Sequence, residues 1–273
     1  MKKVLISVAP VAATDTFIDP IAIAKDVIAC SKAGAGMVHL HVRDKTGQLT
    51  PDLSLLEETI RYIKSECDIV IQASTGGVSK LTIEERCAPV YPNWVEANSL
   101  NVGSVNLGEA VYCNPINEVR YCVEQIIKNK KTPEIEVFEI GMIHTVKELN
   151  LKYDFVKPIL FSIVLGHIGA APATVGTLKI MLAALDEFFP NKDEVLWGIT
   201  HAHRKDFEIM KAALDMGAST VRIGFEDSNH ISEKKTVSTN LPLVEAIADI
   251  IKQKEMMPAT PDEVRKMLNI YKN

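Results

Sequence analysis

The stretch of sequence that decides the fold is MVHLHVRDKTGQLTPDLSLLEETIRYIKSECDIVIQAS, residues 37–74. It begins with an apolar, β-prone run at 37–42, continues into an amphipathic segment at 52–66, and ends with a second apolar run at 68–74. Short apolar runs are typical of buried strands, and apolar residues at helical spacing indicate a helix with one buried face. The stretch therefore predicts one strand–helix–strand unit.

The same alternation of strand and helix continues along the whole chain. Strands are predicted at 4–9, 37–42, 68–74, 94–103, 134–141, 158–166, 194–201 and 219–227. Helices are predicted at 20–34, 52–66, 79–89, 115–129, 142–152, 174–189, 204–217 and 240–255. An additional helix is predicted at 260–271, where Thr260 can cap the first turn and Pro261 suits the first helical position.

This order of elements predicts the architecture. Strands that alternate strictly with helices imply a parallel sheet with right-handed crossovers. Eight such units in 273 residues favour a closed (β/α)8 TIM barrel over an open doubly wound sheet. The chain contains no Gly/Ser/Pro-rich linker, so we predict one α/β domain over 1–273 that includes the additional C-terminal helix. No G-x-G-x-x-G or Walker sequence follows a predicted strand, which argues against a nucleotide-binding fold.

The composition excludes several classes of function. Hydrophobic residues make up 47% of the chain and charged residues 24%, which suits a large buried core. The net charge is −5 and no basic stripe with interleaved aromatics occurs, which argues against nucleic-acid binding. The five cysteines form no C-x-x-C pair, which indicates a reducing, cytoplasmic environment. The apolar run near the N-terminus is too short to cross a membrane, so we expect no membrane association.

Two histidines end the second predicted strand, and alternate residues of a strand point to the same face. His39 and His41 therefore face one point, and Glu226 lies at the end of the eighth strand. In a closed barrel the second and eighth strands both neighbour the first, so the three side chains can converge. Two histidines and one carboxylate are a common catalytic zinc site. Two ordinary buried histidines beside an exposed glutamate remain the alternative.

Other polar residues also fall at the predicted strand ends, where barrel enzymes carry their chemistry. Arg222 and Asp227 are either an ion pair or an arginine-poised base next to a metal-bound carbonyl. The turn STGG at 74–77 is either an anion-binding nest of backbone N–H groups or an ordinary turn. His201 and His203 form a rival metal pair, but the chain should already be leaving its strand there.

Taken in order, the motifs HLHVRD, QASTGG, SLNVGSVN, EIEVFEIG, VRIGFEDS and ATPDEVRKML resemble those of the β-keto acid cleavage enzymes. The founding activity of that family is 3-keto-5-aminohexanoate cleavage in lysine fermentation. The resemblance implies a zinc-dependent (β/α)8 barrel that is typically a homotetramer. It also implies an acyltransferase that condenses a β-keto acid with acetyl-CoA and splits the adduct by a retro-Claisen step. The products are then acetoacetate and a new acyl-CoA.

The resemblance assigns roles to individual residues of this chain. The expected ligands of one zinc ion per chain are His39, His41 and Glu226. The expected catalytic residues are Arg222, Asp227 and Glu139, which aligns with a carboxylate after the fifth strand. For substrate binding, the resemblance points to Ser74, to Ser104, where some members have threonine, and to the position of Thr14. The turn residues Gly76 and Gly77 and the strand-end residue Asn106 complete the expected substrate-binding set.

One departure from the family pattern concerns the substrate. Members that cleave the aminohexanoate have a glutamate after the first strand, where Thr14 stands here. A buried ammonium without a carboxylate partner costs several kcal/mol. Asp15 follows, but its side chain should diverge from that of Thr14. We therefore predict a β-keto acid whose distal end is neutral or hydroxylated. Around His201 and His203 the sequence also departs from the Gly-Arg of many members.

Two other classes of protein stay open. An amidohydrolase-like metal-dependent hydrolase also uses H-x-H in a barrel, but on the first strand and with a bridging lysine on the fourth, which this chain lacks. A catalytically inactive binding protein would not need the set formed by H-x-H, Glu226 and the Arg222–Asp227 pair. The zinc content separates the three classes, since one ion per chain supports cleavage, two support hydrolysis and none supports binding alone.

Overall fold

In a computed structural model of the protein, which describes residues 1–270, eight parallel strands close into a barrel. The strands are β1 Lys3–Val8, β2 Met37–Leu40, β3 Val70–Ser74, β4 Ala97–Asn101, β5 Thr132–Val137, β6 Ile159–Leu165, β7 Val195–His201 and β8 Thr220–Ile223. Each strand pairs with the next, and β8 returns to β1 over a register that runs from Leu5↔Thr220 to Val8↔Ile223. The predicted (β/α)8 TIM barrel is confirmed.

Helices cover the outside of this barrel and its amino-terminal end. They are α1 Pro20–Lys32, α2 Ser54–Glu66, α3 Ile83–Arg86, α4 Ile116–Lys128, α5 Ile140–Asn150, α6 Val175–Phe188, α7 Glu208–Asp215, α8 Leu241–Gln253 and α9 Pro261–Met267. In α2, Leu56, Ile60 and Ile63 are buried at helical spacing while Glu57 and Arg61 are exposed. The strands are buried on both faces, which explains their nearly continuous apolar sequences.

The amino-terminal end of the barrel is sealed by α9. Apolar residues of α9 and its flanks, such as Val264 and Leu268, pack against Leu5 and neighbouring strand residues. Arg265 is 6% exposed, and its guanidinium donates to Glu96 at 2.6 Å and to Asp68 at 2.8 Å. The helix predicted at 260–271 thus begins as expected behind Thr260, while residue 271 lies outside the described residues.

The structure also contains short strands that the sequence did not predict. Val105–Leu107 and Ala110–Tyr112 form a hairpin after β4, and His230–Ser232 and Lys235–Thr236 form a second one after β8. Strands of two or three residues give no recognisable period, so the sequence pattern missed them. In the part of the chain that the structure describes, we find no helix that is long and apolar enough to cross a membrane.

Candidate active site

A cavity of about 590 Å³ opens at the end of the barrel where the strands finish. Residues at or beyond the ends of the strands line it, so it lies where (β/α)8 barrels carry their chemistry. The charged residues in its lining, besides histidines, are Arg43, Glu136, Arg222, Glu226 and Asp227. The opposite end of the barrel is sealed by α9, so we expect substrates to bind at the carboxyl ends of the strands.

Three of the predicted residues meet at the wall of this cavity: His41 and Glu226 line it, and His39 is buried next to them. The Nε2 atoms of His39 and His41 are 3.4 Å apart. Glu226 places Oε1 3.3 Å from His41 Nε2 and Oε2 3.7 Å from His39 Nε2. A tetrahedral zinc ion with ligands at about 2.1 Å requires ligand atoms roughly 3.4 Å apart. The donor types and their spacing therefore fit a zinc ion.

A buried hydrogen-bond chain orients His39. His39 is 2% exposed, and its Nδ1 lies 2.6 Å from Gln72 Oε1. The Gln72 amide in turn donates to Glu134 Oε2 at 2.6 Å. Because an amide oxygen can only accept, His39 Nδ1 donates this bond, and the other ring nitrogen, Nε2, faces Glu226. Such partners fix the orientation of metal-binding histidines, and burial raises the pKa of Glu134.

The backbone after β8 brings Glu226 to the same point. Gly224 has a φ of +143°, and a Cβ at this position would lie 2.2 Å from the carbonyl oxygen of Ala9. The turn therefore docks directly on the end of β1, where Glu226 N also donates to Ala9 O at 3.2 Å. Burial opposes ionisation of Glu226, but Arg222, His39 and His41 hold its pKa well below its ordinary value.

Arg222 is the centre of a buried group of three carboxylates. Its Nε and Nη2 donate to Asp227 at 3.1 and 2.6 Å, which is a bidentate ion pair. Nη1 donates to Glu136 at 3.0 Å, and Nη2 lies 3.4 Å from Glu226. Burial raises the pKa of Asp227 although Arg222 acts against this shift. A carboxyl group with a raised pKa is a better proton acceptor. Arg222 and Asp227 can therefore form an ion pair and still provide a base, so the two interpretations do not exclude each other.

Some of the predicted substrate-binding residues also line the cavity. Ser74, Gly76 and Gly77 do so, and Ser74 Oγ accepts from Gly76 N at 3.1 Å. Gly77 has a φ of +131°, and a Cβ on Gly76 would lie 1.9 Å from the Tyr112 hydroxyl. The two glycines are therefore required by a left-handed turn and by a close approach to Tyr112.

Four of the residues expected at the site lie elsewhere. Glu139 is exposed at the start of α5, because β5 ends at Val137 and the chain has already turned outward. Ser104 is exposed and its Oγ accepts from the backbone of Asn114 at 2.8 Å. Asn106 is an exposed residue of the first hairpin, and Thr14 is exposed next to Ala13, which lines the cavity instead.

The structure adds residues that the sequence analysis missed. Glu136, and not the predicted Glu139, lines the cavity and contacts Arg222, and Glu134 and Glu136 show the same alternation as His39 and His41. Tyr112 lies on the unpredicted hairpin, and its hydroxyl is buried against Gly76 in the lining of the cavity. Arg43, two residues beyond His41, also lines the cavity, although the sequence motif assigned it no role.

The rival metal pair is not assembled. His203 lines the cavity with a φ of +56°, but His201 is not among the lining residues. Over residues 1–270, the only group of three or more potential ligands that can surround a metal ion is His39, His41 and Glu226. His203 lies beside His167 with ring centres 5.6 Å apart. Burial and the neighbouring His203 lower the pKa of His167 to about 4, so this imidazole is neutral near pH 7.

Comparison with known proteins agrees with this geometry. Residues 4–270 match the model of the beta-keto acid cleavage enzyme family. The chain belongs to this family. It is 33% identical to the 3-keto-5-aminohexanoate cleavage enzyme of Fusobacterium nucleatum, over 92% of this chain and 89% of the relative. It is 29% identical to the 3,5-dioxohexanoate:acetyl-CoA acetone transferase of Paraburkholderia graminis, over 98% of this chain and 96% of the relative.

Solved structures agree on the fold of this β-keto acid cleavage enzyme family member. The apo structure of ObcA superposes with a TM-score of 0.79 at 18% identity and covers 93% of this chain and 65% of ObcA. The family match over residues 4–270 and the 33% identical relative confirm the resemblance read from the sequence motifs. The expected class of enzyme, an acyl-CoA-forming acyltransferase that cleaves a carbon–carbon bond, is confirmed at the level of the family. The hydrolase alternative is not favoured.

Proposed function

We propose that this enzyme condenses a β-keto acid with acetyl-CoA and releases acetoacetate and a new acyl-CoA, with one zinc ion per chain bound by His39, His41 and Glu226. The observation that carries the proposal is the position of the His39–His41–Glu226 triangle beside the buried Arg222–Asp227 pair in one cavity. The names of relatives, which include 3-oxoadipate:acetyl-CoA acetyltransferase at 28% identity, support acetyl-CoA as the co-substrate.

In the proposed mechanism Asp227 acts as the base and Arg222 holds it in place. Asp227 accepts a proton from C2 of the keto acid, and C2 attacks the thioester carbonyl of acetyl-CoA, so that the CoA thiolate leaves. The thiolate then attacks the C3 carbonyl of the adduct, and the C2–C3 bond breaks. Asp227 returns its proton to C2, which yields acetoacetate and the acyl-CoA. When bound, zinc would supply a Lewis acid that polarises a carbonyl group.

Other residues support this chemistry by orientation. We assign to Glu136 the role that the family resemblance gave to Glu139, since Glu136 holds Arg222 Nη1 and faces the cavity. The Gln72–Glu134 chain keeps Nε2 of His39 directed at His41 and Glu226. Ser74 and the amides beside Gly76 and Gly77 are proposed to bind oxygen atoms of the substrate. The homotetramer and the cytoplasmic location expected from the sequence remain part of this proposal.

Replacing Gly76 with alanine tests the proposed substrate-binding turn. The new Cβ would collide with the Tyr112 hydroxyl, so the turn must shift, and we expect the KM for the keto acid to rise by about tenfold, the effect of losing one charge-assisted hydrogen bond. Gly141→Ala is the matched control, because nothing lies within 4 Å of its Cβ position. Adding Tyr112→Phe to Gly76→Ala removes the colliding oxygen and should lower the KM again. An unchanged KM in Gly76→Ala would remove this turn from the substrate site.

The preferred keto acid is expected to be neutral or hydroxylated at its distal end. The carboxylates that line the cavity within residues 1–270 are Glu136, Glu226 and Asp227, and all three contact Arg222. An ammonium group would therefore find no free carboxylate. Asp15 is exposed, and its side chain accepts from the backbone of Ala12 at 3.0 Å.

The test measures acetoacetate formation from a panel of β-keto acids with acetyl-CoA. We expect a higher catalytic efficiency with 3-oxohexanoate than with 3-keto-5-aminohexanoate, and no acetoacetate when acetyl-CoA is omitted. A clear preference for the amino compound that disappears in Asp15→Ala would show that Asp15 reaches the substrate. Failure to form acetoacetate from any keto acid of the panel would refute the proposed activity itself.

A further inference from the structure

The wall of the cavity formed by the loop after β2 contains a buried arginine. Arg43 is 9% exposed and lines the cavity together with Gly47, Gln48 and Leu49 of the same loop. A backbone bridge between Arg43 and Leu49 fixes the position of the loop. Nη1 donates to the carbonyl oxygen of Gly47 at 2.7 Å, while the buried Nε has no hydrogen-bond partner within residues 1–270.

The charge of Arg43 is not neutralised by an ion pair within the described chain. Arg222, the other arginine of the lining, contacts three carboxylates. Glu226 and Asp15 act on Arg43 electrostatically without pairing with it. Glu226 is already held by Arg222 and the two histidines, and Asp15 accepts from Ala12. Since an unpaired charge is unfavourable when buried, an anion that enters the cavity should gain from contact with Arg43.

We propose that Arg43 binds a carboxylate group of the acidic substrate, an inference that rests on the proposed function. A guanidinium group matches a carboxylate with two parallel hydrogen bonds, and the Nε edge of Arg43 is free to donate. Arg43 lies two residues beyond His41, so the anion it binds lies near the reacting end of the substrates. The CoA phosphates are separated from the thioester by the pantetheine arm, so they are not the anion that Arg43 is proposed to bind.

The carboxylate has two chemical sources. Every β-keto acid and the product acetoacetate carry a carboxylate at C1, whereas only a dicarboxylic keto acid carries one at its distal end. The neutral distal end proposed above makes the C1 carboxylate the expected source. Arg43 would then be a positioning residue that holds C1 while C2 faces the base.

The experiment compares the binding of acetoacetate and its uncharged methyl ester to zinc-loaded protein by calorimetry. The wild type should bind acetoacetate more tightly than the ester. In Arg43→Gln we expect acetoacetate affinity to fall by at least about tenfold, the effect of one charge-assisted hydrogen bond, with little change for the ester. Lys45→Gln is the matched control, because it removes an exposed cation from the same loop. Arg43→Lys keeps the charge and should recover part of the preference, and a thermal melt monitors folding.

Each outcome decides the proposal. A loss of the acid-over-ester preference in Arg43→Gln supports binding of C1. In the alternative outcome, Arg43→Gln keeps its acetoacetate affinity but loses at least about tenfold in catalytic efficiency on 3-oxoadipate relative to 3-oxohexanoate. That result supports binding of a distal carboxylate and contradicts the proposed neutral distal end. If neither quantity changes, or if the wild type binds acid and ester equally or not at all, Arg43 has only a structural role. Because binding is measured without turnover, failure of the cleavage activity would be seen separately.

Discussion

Replacing both His39 and His41 with alanine is expected to abolish zinc binding and turnover together while the barrel stays folded. The two imidazoles supply two of the three donor atoms, which lie within 4.8 Å of one another. A single carboxylate cannot hold zinc in a structural or catalytic site of the usual kind. The buried core of the barrel does not depend on these two side chains, so circular dichroism should show an unchanged fold. Zinc per chain is measured by elemental analysis after dialysis.

A matched control separates the loss of ligands from the loss of histidines in general. The double variant His144→Ala, His230→Ala removes two imidazoles that do not line the cavity, and it should keep one zinc ion per chain. Removal of zinc from the wild type by a chelator should abolish turnover, and addition of zinc should restore it. Stoichiometric zinc in the His39→Ala, His41→Ala protein would show that the metal site has been assigned to the wrong residues.

Replacing Asp227 with asparagine is expected to lower turnover by at least about a hundredfold, the usual contribution of a general base. Asparagine keeps the size of the side chain but cannot accept the C2 proton. Zinc content should stay at the wild-type value, because Asp227 is not part of the ligand triangle. Arg222→Lys should also be costly, since lysine cannot reproduce the bidentate contact with Asp227.

The control for this experiment comes from the residue that the sequence pattern favoured. Glu139 is exposed outside the cavity, so Glu139→Gln should leave turnover near the wild-type value. Glu136→Gln removes a partner of Arg222 and should lower it. Near-normal turnover in Asp227→Asn would reduce the Arg222–Asp227 pair to a strand-end ion pair.

The barrel was predictable because the apolar residues of its strands and helices follow simple patterns along the sequence. Strands buried on both faces are continuous apolar runs, and the helices between them bury one face, so their alternation is visible in the sequence. The convergence of His39, His41 and Glu226 was predictable for a related reason. Alternate residues of β2 share a face, and closure of the barrel places β8 and β2 on either side of β1.

The remaining site residues depend on features that the sequence does not show. The apolar Phe138 and Ile140 extend the strand pattern of β5 beyond its end at Val137, so the pattern pointed to Glu139 instead of Glu136. Tyr112 lies on strands too short to have a period. Arg43 has no ion-pair partner within the described residues, and this depends on which side chains the fold brings close to it. The local sequence does not show whether a buried charge finds such a partner.

The seal that α9 forms under the barrel has a consequence for engineering. Arg265 and the apolar contacts of α9 stabilise one end of the molecule, while the first hairpin, the 74–77 turn and the loop after β2 shape the other. Substitutions at distant sites without shared partners usually add in their effects on free energy. Changes that strengthen the α9 end should therefore offset the cost of remodelled loops at the mouth. A library for new specificities is best built on a chain whose sealed end has first been reinforced.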